Sequence, residues 1–200
     1  MWNAAAKPRQ VAAQLMVDGL GGKGNVVILR GLPGYSVTKY RVDGFMDVIK
    51  NHPDIKVLDT QPANWSQEKA QTLMENFITR FGKTIDGVYS SDGGTGSGAL
   101  AAGTAAVNEG RVDKGHIKYT DCSIFASTYD SIKAGDYYGS VYQSLVEDAN
   151  LAFETAVKIA EGIEVPKVAH IPAPPVTKEN VDQFRAPPSD SRLQPRGNGT

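Results

Sequence analysis

The chain is poor in several things that would declare a function. It has one cysteine, Cys122, among 200 residues. An internal disulfide framework is therefore excluded, and the redox compartment stays open. Its three histidines, His52, His116 and His170, are scattered without metal-motif spacing, so ordinary structural roles are expected for them. Charge of one sign is missing too. The net charge of −1 gives no electrostatic reason for nucleic acid or an anionic membrane surface as partner. No apolar run approaches the roughly 18 residues that span a bilayer, and no direct membrane insertion is expected. The first ten residues, Met-Trp-Asn-Ala-Ala-Ala-Lys-Pro-Arg-Gln, hold no continuous apolar stretch of the signal-peptide kind. What remains is an ordinary globular composition, 40% hydrophobic and 22% charged, long enough to bury a sizeable core.

Against that background the pattern is regular. Residues 9–20 are expected to be helical, with Val11, Leu15, Met16 and Leu20 near a 3.6-residue period. Asn25–Leu29 is an apolar strand. A glycine-rich turn, Gly31-Leu-Pro-Gly34, leads into a helix over 37–50. The alternation continues with a strand at 55–60, a helix capped by Ser66 and a strand at 86–90. Then come a glycine-rich loop over 91–98, an alanine-rich helix to about Asn108 and a strand at 117–120. A short helix over 127–134 precedes an exposed or edge strand over 137–143, a strongly amphipathic helix over 145–163 and a last strand over 167–171. Strands separated by 10–15-residue helices imply an α/β fold with a doubly wound parallel sheet.

Right-handed crossovers carry every strand exit to one edge of such a sheet, the edge at which open α/β sheets bind ligands. Arg41, Trp65, Asp92 and Asp121 all follow strands closely. Arginine supplies a rigid fork of donors, ionised aspartates accept, and the indole offers a flat apolar face. A small neutral molecule with several hydroxyls and one apolar face, a monosaccharide or polyol, satisfies all four. Charge-assisted bonds of about 1.5–3 kcal/mol each make micromolar affinity accessible in a preorganised pocket. Plainer roles exist for each residue. Arg41 can pair with Asp43 or Asp47, Trp65 can pack its loop, Asp92 can cap the next helix, and Asp121 can form a turn.

Gly31–Phe45, Gln61-Pro-Ala-Asn-Trp65, Val88-Tyr-Ser-Ser-Asp92 and Gly139-Ser-Val-Tyr-Gln143 together resemble the sugar-binding type I periplasmic binding proteins. The ribose-type substrate-binding components of ABC transporters are the nearest group. The similarity runs from about Ala12 to Val181. It implies ligand contacts at Arg41, Trp65, Asp92 and Asp121, and adds Gln143 at a hinge crossing. It also implies a sugar ligand, a membrane permease as partner, no cofactor, no enzymatic activity and a periplasmic parent protein. The chain departs from the family pattern at Asp92-Gly-Gly-Thr-Gly and at Thr120-Asp-Cys, positions that bear on which sugar is bound.

By the same resemblance, residues 1–139 form a complete ligand-binding lobe. Residues 140–172 are a partial segment of the other lobe, and 173–200 a Pro-rich, disordered tail. A single jaw is then expected to bind sugar weakly, and the long helix to lack the sheet it should cover.

Two other functions have a footing. Gly94-Thr-Gly-Ser-Gly-Ala99 matches a dinucleotide fingerprint of an oxidoreductase, although Asp92 would repel a pyrophosphate. A sugar-responsive transcription regulator shares the fold class, but no helix-turn-helix or basic surface is visible. Cys122 beside Asp121 has no histidine near it in sequence to make it a nucleophile.

Overall fold

A computed structural model describes residues 8–184. Its centre is the run Val26–Leu29, all four residues fully buried. Side chains of a strand alternate between faces. Val26 and Ile28 accordingly join one core with Val11, Met16, Phe45 and Ile49. Val27 and Leu29 join the other with Met74, Phe77, Ile85 and Val88. A strand buried on both faces needs helices on both sides. They are supplied by α1 (Pro8–Leu20) and α2 (Ser36–Ile49) on one face, and by α3 (Gln67–Phe81), α4 (Gly93–Asn108) and α5 (Ala126–Ala134) on the other.

The strands are β1 (Gly24–Arg30), β2 (Ile55–Pro62), β3 (Gly87–Ser90), β4 (Lys118–Asp121), β5 (Gly139–Val141) and β6 (Pro175–Thr177). They form one sheet in the order β2-β1-β3-β4-β5-β6. The first five are parallel; β6 runs antiparallel to β5. The expected α/β class and parallel sheet are therefore present, and the exits of β1 to β4 share one edge. Among the described residues no helix is long and apolar enough to cross a membrane.

Several boundaries differ from expectation. The glycine run after β3 is not a loop, since α4 begins at Gly93. Asp92 caps it, accepting from the Thr95 amide at 2.8 Å while Thr95 Oγ1 returns a bond to the cap. The glycines serve close helix packing: a Cβ at Gly98 would lie 2.1 Å from the Gln67 carbonyl oxygen on α3. β2 runs on through Gln61-Pro62, which a sheet-edge position permits because proline there breaks no ladder bond.

The stretch 137–143 is neither an exposed nor an edge strand. β5 is wholly buried between β4 and β6. No strand forms at 167–171; β6 lies further on, where Val176 is buried against β5. Residues 173–184 are thus not simply tail. Val181 is buried and Phe184 packs its ring against Tyr142, centroids 4.9 Å apart. The expected disorder of 185–200 falls outside the described residues. The long helix is α6 (Leu145–Ala160), and none of its side chains among the described residues is fully buried: Val146, Phe153 and Ile159 are 59%, 71% and 59% exposed.

Candidate functional site

The rim is built outward from Gly31, just past β1. Its amide donates to Ser91 Oγ at 3.2 Å, tying the exits of β1 and β3 together. The missing side chain of Gly31 leaves a space that the Trp65 indole fills; a Cβ there would lie 2.1 Å from Trp65 Cζ2. Trp65 reaches this place through an unusual turn. Asn64 and Trp65 both have left-handed backbone, φ 58 and 63. That conformation costs roughly 1–3 kcal/mol for each non-glycine residue and persists where the surroundings over-determine it. Here the turn is pinned at both ends. The Ala63 amide bonds the Arg30 carbonyl at 2.8 Å, and the Ser66 amide bonds the Ala63 carbonyl at 3.0 Å while Ser66 caps α3.

Arg41, half-buried in the second turn of α2, lies over this indole with its guanidinium carbon 5.8 Å from the ring centre. Its Nη1 donates to the Ser91 carbonyl at 2.6 Å. It is not the surface ion pair that its neighbours allow, because Asp43 pairs with Lys39 and Asp47 with Lys50. The Tyr89 hydroxyl donates to the Arg41 carbonyl at 3.1 Å and its ring stacks on Phe45, which fixes this part of α2 from below. Next to Ser91 stands Asp92, 9% exposed. Its Oδ1 is engaged in the helix cap, whereas Oδ2 makes no hydrogen bond among the described residues.

Asp121 ends β4 as expected but sits beneath the rim, fully buried. Its Oδ1 accepts from the Ser123 amide at 3.0 Å and from the Ser140 hydroxyl. Oδ2 and the nearby Tyr137 hydroxyl are both buried without a partner in hydrogen-bond geometry. Burial pushes the Asp121 carboxyl up to about 7, against the pull of these donors; the charge of Asp92 adds to the rise. Gln143 is half-buried between β5 and α6. No hydrogen bond joins it to the other four among the described residues.

The structure therefore gathers Arg41, Trp65 and Asp92 around Ser91 and sets Asp121 below them, while Gln143 is not hydrogen-bonded to any of them among the described residues. Ser91 was not anticipated, although its place directly before Asp92 was a signal. Ser140 and Tyr137 reach Asp121 from elsewhere on the chain and carried no signal. A concavity of about 510 Å³ lies at the opposite edge of the sheet. It holds none of the five residues. Its lining mixes Lys23, Lys56 and Lys118 with Asp54 and Asp86 and contains no tryptophan, tyrosine or phenylalanine.

The other chemistries lose ground on geometry. At the N-terminus of α4, where a pyrophosphate would sit, the Thr95 amide is already taken by the Asp92 carboxylate and the Gly93 amide by the Ser123 carbonyl. Burial pushes the Cys122 thiol up to about 12, far from a usable nucleophile. Among the described residues no group of three acidic, histidine or cysteine side chains is placed to hold a metal.

Comparison with known proteins points the same way. A family model described as a periplasmic binding protein domain matches residues 10–164. The chain is 37% identical over 183 residues to a xylitol-binding protein of Mycolicibacterium smegmatis, covering 88% of this chain and 50% of that one. It is 32% identical over 162 residues to the D-xylose-binding periplasmic protein of Escherichia coli, covering 79% of this chain and 47% of the other. Among solved structures, an ABC transporter periplasmic solute-binding protein from Actinobacillus succinogenes with bound D-allose superposes with a TM-score of 0.80 at 26% identity. That match covers 88% of this chain and 61% of the other. The chain spans about half the length of the curated relatives it matches.

Proposed function

The chain belongs to the periplasmic binding protein family, and from that premise we propose that it is the solute-binding part of a sugar ABC transporter. It holds a monosaccharide or polyol non-covalently and hands it to a membrane permease; the whole protein works in the periplasm. Relatives named for xylitol, D-xylose and D-apiose support a ligand that is uncharged and rich in hydroxyls. One observation carries the reading: Arg41 is packed over the Trp65 indole and bonded to the carbonyl of Ser91, the residue directly before Asp92, whose Oδ2 makes no hydrogen bond among the described residues.

That arrangement gives a sugar what it needs. The guanidinium has further donors to spare for ligand oxygens. The Asp92 Oδ2 accepts from a hydroxyl. The indole takes a C–H face. Asp121 adds an acceptor below, with its unpartnered Oδ2. Gln143 contributes from the segment that leads away from the sheet. One sheet edge forms one wall, and closure of a second lobe over it, the hinged motion known for two-lobed binders, completes the enclosure.

The test is an NMR titration of the chain with D-xylose and with xylitol. The Trp65 indole N–H and the Arg41 and Asp92 amides are expected to move at millimolar sugar, and to stop moving in Arg41→Ala. Resonances that stay fixed at saturating sugar would end the proposal.

A further inference from the structure

Phe125 follows β4 by four residues, stands at the N-terminal cap of α5 and is 39% exposed. Its backbone is held: the amide donates to Thr128 Oγ1 at 2.9 Å, and its carbonyl accepts from the Tyr129 amide at 2.8 Å. This places a large apolar side chain, partly in solvent, on a fixed backbone at a strand exit. Its neighbour gives it a use. A Cβ at Gly94 would lie 3.5 Å from Phe125 Cε2 and 3.7 Å from Asp92 Oδ1. The aromatic ring and the candidate sugar-binding carboxylate thus flank one small gap, kept open by the absence of a side chain at Gly94.

We infer that Phe125 is a ligand-contacting, specificity-determining residue: its ring receives the C–H patch of the sugar next to the hydroxyl that Asp92 takes. This rests on the sugar-binding reading of the Arg41–Trp65–Asp92 site. Trp65 lies over the exit of β1 and Phe125 beyond that of β4, so the polar centre has an apolar contact toward each end. Burying part of an aromatic face corresponds to about fivefold to tenfold in affinity.

Two variants test it in the full chain, with the Trp65 indole resonance reporting D-xylose binding. Phe125→Ala removes the ring, and about fivefold to tenfold weaker binding is expected. Gly94→Ala leaves the ring but puts a methyl into the gap. The methyl meets only ordinary contact distances, and alanine is the better helix residue. Its unfolding midpoint is expected to hold or rise while binding weakens. Binding unchanged in both variants, with the Trp65 resonance still responding to sugar, overturns the role of Phe125 and leaves the site reading intact. An indole that does not respond in the unaltered chain removes the site reading and this inference together.

Discussion

Gly31 and Asp121 decide the candidate site from opposite directions, one by lacking a side chain and the other by burying one. Gly31→Ala would bring a methyl 2.1 Å from Trp65 Cζ2, a contact no rotamer adjustment of alanine relieves. The indole must swing off its seat. A shifted Trp65 emission maximum and roughly tenfold weaker sugar binding are expected, the latter equivalent to ~1.4 kcal/mol. An unchanged emission spectrum would show that the indole is not held there.

Asp121 is a matter of pH. Its folded carboxyl keeps the proton to about 7, whereas the unperturbed value is 3.8. The folded state binds the extra proton, so this group's contribution is full below about pH 4 and is lost as pH rises through 7. Between pH 5 and pH 8 the expected fall is on the order of 3 kcal/mol, at about 1.4 kcal/mol per unit. Asp59, whose carboxyl is held low by hydrogen bonds from Arg80, Gln61 and the Thr60 amide despite its desolvation, slopes the other way. The comparison is therefore made against Asp121→Asn. Urea unfolding at pH 5 and pH 8 should show a loss of stability in the native chain that the asparagine variant lacks; parallel slopes would refute it.

At this scale the sequence told much about position. Arg41, Trp65 and Asp92 follow strands whose apolar runs are plain, and that alone brings them to one edge. It could not tell depth. Asp121 is buried by Ser140 and Tyr137, whose approach depends on β5 joining the sheet. Nor could it tell the left-handed pair Asn64–Trp65, since neither residue type demands that backbone.

Elements were legible where two signals agreed and misleading where one stood alone. β1 has an apolar run and a glycine stop on either side, and it is found within a residue of expectation. The glycine run after β3 suggests a loop until the Asp92 cap and the close approach of α3 are known. Alternation over 137–143 suggests an exposed face, but β6 covers that side. The periodicity of α6 is real, yet periodicity says only that a face is apolar, not what lies against it. A consequence separates the helices. Phe77→Ala in α3 removes a buried ring and is expected to cost about 3–5 kcal/mol. Phe153→Lys in α6 replaces a ring that is 71% exposed and should change stability by no more than about 0.5 kcal/mol. Urea melts of the two variants check this, and a large loss for Phe153→Lys would mean that α6 is packed after all. Limited proteolysis should cut within 142–172 before it cuts β5.

For the molecule as a whole, the candidate wall is open. Enclosure and desolvation make sugar hydrogen bonds strong, and one sheet edge supplies them on one side. These 200 residues alone are expected to bind D-xylose or xylitol at millimolar strength; calorimetry returning low-micromolar affinity would show that a single wall suffices. The pairing of β5 with β6 has a different reach. Val141 stands opposite Pro175, and the Tyr142 amide bonds the Pro174 carbonyl at 2.9 Å. Entrance and exit of residues 143–173 therefore share one threshold. Topologically that stretch is a detour, and replacing it with a two-residue Asn-Gly turn should give a shorter chain that still folds. Conversely, since closing a loop costs only about 0.6 kcal/mol more for each doubling of its length, a guest of almost any size can be lodged at that doorway without disturbing the house.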